Sequence, residues 1–153
     1  MSSVAIFLML HLFFAVVWVG GMLFAHTVLR PAAMVLPLEQ RVQLWLGVLE
    51  RFFVWVWASV VVLPVSGYVL TFGMFGGMGP SPVYVHAMHG VAWVMVALFF
   101  YVYFRLYPRM RWMVAEQLFP EAGLYLAKIR TLVSVNLFLG VGIVVAVSLL
   151  RYG

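Results

Sequence analysis

The sequence contains no cysteine. Disulfides, thiolate metal sites and thiol catalysis are thereby excluded, and the redox compartment cannot be read from it. Charge is scarce as well: 8% of the residues are charged, against about a quarter in a soluble domain. The carboxylates Glu39, Glu50, Glu116 and Glu121 all lie outside the long apolar runs. No paired acids are left for hydrolysis, no carboxylate proton relay, and no hard-cation site inside a membrane. The net charge of +5 comes from residues in connections, where topology accounts for them, so no nucleic-acid partner is expected. The first apolar run has no charged segment before it and no small-residue cleavage site ahead of a polar domain. It is therefore read as a span and not as a signal peptide.

What the chain has in excess is apolar surface, 67% of its residues. Four continuous apolar runs, about residues 4–27, 52–75, 83–107 and 131–150, each reach the ~20 residues that a helix needs to cross a hydrocarbon core. A β-barrel would show shorter, alternating segments. The expected fold is all-α, an integral membrane four-helix bundle forming a single transmembrane domain over 1–153, with the lipid bilayer as its solvent. Pro37-Leu38-Glu39-Gln40 opens an amphipathic approach to the second helix. Pro64, followed by Ser66 and Gly67, is predicted to bend that helix and admit close packing. The Gly76–Pro82 cluster is a turn.

Charge placement orients the bundle. Arg30, Arg41 and Arg51 follow the first run, and Arg105, Arg109, Arg111, Lys128 and Arg130 follow the third. Only Arg151 lies on the other side. The positive-inside rule then gives a multi-pass protein of a bacterial-type inner (cytoplasmic) membrane with both termini outside.

Polar groups inside spans are costly and mark function. They include four histidines. His11 lies about seven residues into the first helix, and His86 and His89 lie three and six residues into the third. Both helices enter from the same face, so at ~1.5 Å per residue His11 and His89 share a depth, with His86 about one turn shallower. His26 is fifteen residues past His11, about 22 Å along the axis, at the opposite boundary. Two imidazoles on facing helices at one depth in an apolar bundle can clamp a haem iron from both sides. Trp18, seven residues after His11, and Trp93, four after His89, share their faces and could wall the macrocycle. Gly20 and Gly21 could let a flat ring or a neighbouring helix come close. Arg151, Tyr84, Ser81 and the N-terminal amine are the donors available to propionates on that side; Arg30, Lys128 and Arg130 would serve a group facing inward. His86 is the alternative third-helix ligand. Each histidine also has a plain reading as an interfacial or hydrogen-bonded residue. Asn136 and Ser134 read as interhelical hydrogen-bonding groups. A second constellation, Met74, Met78, His86, Met88 and His89, offers thioether and imidazole donors that suit Cu(I).

The stretch His11-Leu-Phe-Phe-Ala-Val-Val-Trp18-Val-Gly-Gly21 resembles the first helix of two related groups, the membrane domain of CopD-type copper-resistance proteins and the HemJ-type protoporphyrinogen oxidases. Val85-His86-Ala87-Met88-His89 is similar to the start of their third helix, and Arg130 to Asn136 resembles the beginning of the fourth helix in CopD-like proteins. The HemJ resemblance implies a small four-helix haem b protein that oxidises protoporphyrinogen. That group carries a lysine two residues after its third-helix histidine; counted from His86, the residue here is Met88. The CopD resemblance implies copper passage across the inner membrane. The reading these residues favour is a bis-histidine b-type cytochrome, acting in electron transfer or as a membrane oxidoreductase, with quinol or another redox partner. Copper transport and protoporphyrinogen oxidation stand as alternatives. Gly20, Gly21, Gly140 and Gly142 could pack within one bundle or between the protomers of a homo-oligomer.

Overall fold

The computed structural model describes residues 2–153. It contains four long helices, α1 (Ser3–Ala33), α2 (Leu38–Phe75), α3 (Val83–Ala115) and α4 (Phe119–Tyr152), each long and apolar enough to cross a membrane. The protein is an all-α membrane bundle.

The helices outrun the apolar runs because amphipathic turns extend them. In α2 the buried residues Val42, Trp45, Leu49, Phe53, Val56 and Val60 recur every three or four positions, so one stripe faces the bundle from the first turns onward. The helix continues unbroken through Pro64. It stops at Gly76, which takes the left-handed conformation (φ +75°) while its N–H reaches Phe72 O at 3.1 Å and that of Gly77 reaches Thr71 O at 3.4 Å. This double closure satisfies the last carbonyls, and glycine is the residue that adopts it without steric cost. Helix α1 carries two π-helical turns, Val16–Gly20 and Ala25–Leu29, and α3 carries one, Val102–Leu106. Such wide turns shift the phase of the side chains that follow.

Helix α1 packs chiefly on α2, and α3 chiefly on α4; α2 and α4 also touch, which leaves α1 and α3 as the diagonal pair. Packing is uneven along the bundle. Toward the arginine-rich connections the interior is filled mainly by aromatic contacts: Phe53 meets Phe99 and Tyr107 edge-to-face at ring separations of 5.5 and 5.1 Å, and Trp57 meets Tyr103 at 5.3 Å. Asn136 Nδ2 donates to Met95 O at 3.1 Å, tying α4 to α3. Toward the termini the interior is open. No residue of Ser3–Ala15 is buried.

Candidate functional site

The open half encloses a cavity of about 250 Å³ with walls from all four helices. It exists because α1 and α3 stand across the bundle from each other and because small residues, Ala15, Gly67, Ala92 and Gly140, face inward where larger ones would fill the space. Its polar lining is sparse: His11, Tyr68, His89, Trp93 and Ser148. Leu12, Trp93 and Val144 line it and are also exposed on the outer surface, so it opens sideways toward lipid.

Two imidazoles face each other there. His11 Nδ1 lies 2.9 Å from Ser66 Oγ. The Ser66 hydroxyl already donates to Val62 O at 2.6 Å, so its oxygen is left to accept. His11 Nδ1 therefore carries the proton, and Nε2 keeps its lone pair. His89 reaches the same state by another route: its Nδ1 donates to the backbone carbonyl of Val85 at 2.8 Å, one helical turn back. His89 Nε2 is buried and without a partner. A buried, unsatisfied acceptor is costly and is uncommon in a folded protein. Both rings converge on Gly67. A Cβ placed there would lie 3.4 Å from His11 Cε1 and 3.9 Å from His89 Nε2. The Tyr68 ring leans on His89 at a centroid distance of 4.7 Å, and Trp93 Nε1 donates to the Tyr68 hydroxyl at 3.5 Å.

The other residues singled out from the sequence fall in different places. Trp18 and Trp93 line the cavity, Trp18 buried and Trp93 half exposed. Gly21 does not; a Cβ there would strike the Phe52 ring, so its bareness serves the contact of α1 with α2. His86 is exposed and outside the cavity lining. Arg151 is exposed near the end of α4, stacked on Tyr152, one turn beyond the lining residue Ser148. The N-terminal amine of Met1 lies outside the described residues. Of the methionine–histidine constellation, Met88 and His89 reach the cavity while Met74 and Met78 do not. Among the described residues no three His, Cys, Asp or Glu side chains group closely enough to hold a metal ion by themselves. His26 sits in the other half of the bundle, with Nδ1 at 2.9 Å from Ser134 Oγ.

Ser66 and Gly67 are contributors whose role the sequence did not disclose. Pro64 beside two small residues marked a special stretch of α2, but nothing in the chain said that α2 would present Ser66 to His11.

Fold and site together define a multi-pass membrane protein with a histidine-flanked cavity between its helices. The family model described as copper resistance protein D, CopD, matches residues 46–150, and the chain belongs to that family. The match includes Ser66, Gly67 and His89 and leaves His11 outside it. An uncharacterized protein of Aquifex aeolicus (strain VF5) is 37% identical over 92 residues, which cover 60% of this chain and 62% of that protein. The chain thus matches less than two thirds of that relative's length. No solved structure matches the chain.

Proposed function

We propose that this chain is a haem b-binding membrane protein in which His11 and His89 would hold the iron. One observation carries the reading: each ring commits Nδ1 to a protein oxygen and keeps Nε2 free beside the same apolar cavity. A second hydrogen-bond partner that fixes tautomer and ring orientation is the usual companion of a metal-ligating histidine. The fit extends beyond the ligands. The orphaned His89 Nε2 gains a partner, the bare Gly67 leaves the space between the rings clear, and the walls are apolar and aromatic. When bound, haem would supply one-electron redox chemistry.

The chain's own residues then divide the work. Ser66 and the Val85 carbonyl hold the rings in register, and Tyr68 packs against the His89 ring. Trp18 closes the cavity on the side of Phe99, which its ring meets edge-on at 6.4 Å. Ser148 and Arg151 stand toward the terminal end of α4, where acidic side groups of a macrocycle need donors. A membrane quinol is the electron donor this reading favours, approaching through the lipid-facing side at Leu12 and Val144. By the positive-inside rule, the haem-bearing half and both termini face out of the cytoplasm.

A second reading has its own support. The family's description names copper, and Met88 adds a thioether to the two imidazoles on the cavity wall, a soft set suited to Cu(I). Porphyrinogen oxidation is not carried further, because Met88 stands where the group that performs it carries a lysine two residues after its third-helix histidine, counted from His86.

The absorption spectrum of detergent-purified protein separates the two. The haem reading expects a Soret band with sharp α and β bands on dithionite reduction, lost in both His11→Ala and His89→Ala and kept in His86→Ala. A colourless preparation that takes up one equivalent of Cu(I) through the same two histidines would replace haem with copper.

A further inference from the structure

A second constellation lies at the opposite end of the bundle, toward the arginine-rich connections. A pocket there is walled by three helices, with His26 and Arg30 from α1, Trp45 from α2, and Arg130 and Ser134 from α4. No carboxylate lines it. Trp45 is 4% exposed, and its Nε1 is buried without a hydrogen-bond partner. Arg130 Nε is likewise buried without one. Two unsatisfied donors, one of them charged, thus belong to residues of two helices that line this one pocket. His26 spends Nδ1 on Ser134, whose hydroxyl already donates to Arg130 O at 2.8 Å, so the ring is held while Nε2 stays free. Arg130 also lies within the field of Arg30 and Arg41.

Such an arrangement is expensive when empty. Buried N–H donors want an acceptor, and clustered guanidinium groups want negative charge. The enclosed space is about 40 Å³, room for one small group. The rest of an occupant must stay outside that space.

We propose that this pocket binds a phosphate oxyanion, presented by an acidic phospholipid whose head group reaches between α1, α2 and α4. Trp45 Nε1 and the Arg130 guanidinium donate to the phosphate oxygens, and Arg30 supplies further positive charge at the mouth. Basic pockets between transmembrane helices are known to take anionic head groups in this way. The site is separate from the His11–His89 cavity and stands whether or not that cavity holds haem.

Native mass spectrometry of protein released from nanodiscs containing equal phosphatidylglycerol and phosphatidylcholine tests it. Wild type is expected to retain phosphatidylglycerol over phosphatidylcholine. Arg130→Gln should lower that retention about fivefold, the worth of one interfacial basic charge. Trp45→Phe keeps the apolar bulk and removes only the indole N–H, and should lower it a few-fold. Helix content and melting temperature of both variants, measured in detergent without lipid, separate loss of binding from loss of fold. In a second arm, inorganic phosphate alone is titrated against the melting temperature. Protection equal to that of phosphatidylglycerol, and absent in Arg130→Gln, would identify free phosphate as the source of the same chemistry. Equal retention by wild type and both variants would overturn the proposal, as would a wild type indifferent to both phosphatidylglycerol and phosphate.

Discussion

His11 and His89, on helices that stand diagonally across the bundle, approach one point on a third helix: a methyl on Gly67 would touch His11 Cε1 at 3.4 Å and His89 Nε2 at 3.9 Å. Those are ordinary van der Waals distances, so Gly67→Ala is expected to fold and to keep its cofactor. Gly67→Leu extends three carbons further into the space between the rings. It is expected to fold, because the cavity has about 250 Å³ to receive the side chain, and to lose the cofactor. Pigment or copper content per protein, measured beside the melting temperature, checks this. A Gly67→Leu protein with full cofactor would show that the rings do not share one ligand across Gly67.

Ser66 offers a finer test. Its hydroxyl accepts from His11 and donates within its own helix, so Ser66→Ala removes the acceptor that fixes the His11 tautomer. Loss of such an orienting partner costs about 10- to 100-fold in metal affinity. The stability cost should stay within about 0.5–1.5 kcal/mol, one ordinary hydrogen bond. His89 has no equivalent variant, since its partner is a backbone carbonyl. Cofactor dissociation into apomyoglobin, or Cu(I) competition with a chelator, gives the readout. Unchanged affinity would make the Ser66 contact a packing detail.

The difference between these two histidines explains what could be read from the sequence. Helical rise alone placed His11 and His89 at one level, because depth depends only on counting residues from a common face. Which residues orient them depends on rotation and on which helices are neighbours, and no periodicity reports that. Ser66 was visible as one of the few polar residues inside a span and as a small residue after Pro64, but not as the partner of His11. Gly21 shows which of two expectations holds, since a neighbouring helix and not a flat ring comes close to it. Ten residues after His11 it falls about a quarter turn off the His11 face, and it meets Phe52 of α2 and not the cavity. Trp18, at seven residues, stays on the face. The early start of α2 was legible, since Val42, Leu46 and Leu49 already repeat with helical spacing, whereas the π-helical turns of α1 and α3 left no mark in the sequence.

Orientation can be settled because the chain has no cysteine to interfere. Single cysteines at Gly79, in the α2–α3 turn, and at Gln117, in the α3–α4 connection, place one exposed thiol at each end of the bundle. The positive-inside rule predicts that Gly79→Cys reacts with a membrane-impermeant maleimide on intact cells, and that Gln117→Cys reacts only after the membrane is opened. The reverse pattern would put the His11–His89 cavity in the cytoplasmic half of the bilayer.

Two glycines of α4 make a matched pair for testing how the cavity is framed. A Cβ at Gly140 would come within 2.8 Å of Val19 on α1 and 3.2 Å of Met95 on α3, whereas one at Gly142 meets nothing within 4 Å. Gly140 also lines the cavity, so its bareness sets how near α4 lies to the diagonal helices. Gly140→Ala must displace Val19 or bend Met95 aside, at about 1–3 kcal/mol for overpacking. Met95 can yield through its flexible end, but the β-branched Val19 is stiffer, so the net effect is expected to be destabilising. Gly142→Ala gains helix propensity without a clash and should be neutral or stabilising by up to about 1 kcal/mol. Thermal unfolding in one detergent, followed by helix content, compares them directly. A Gly140→Ala protein as stable as Gly142→Ala would mean that the contact of α4 with Val19 and Met95 is looser than these distances require.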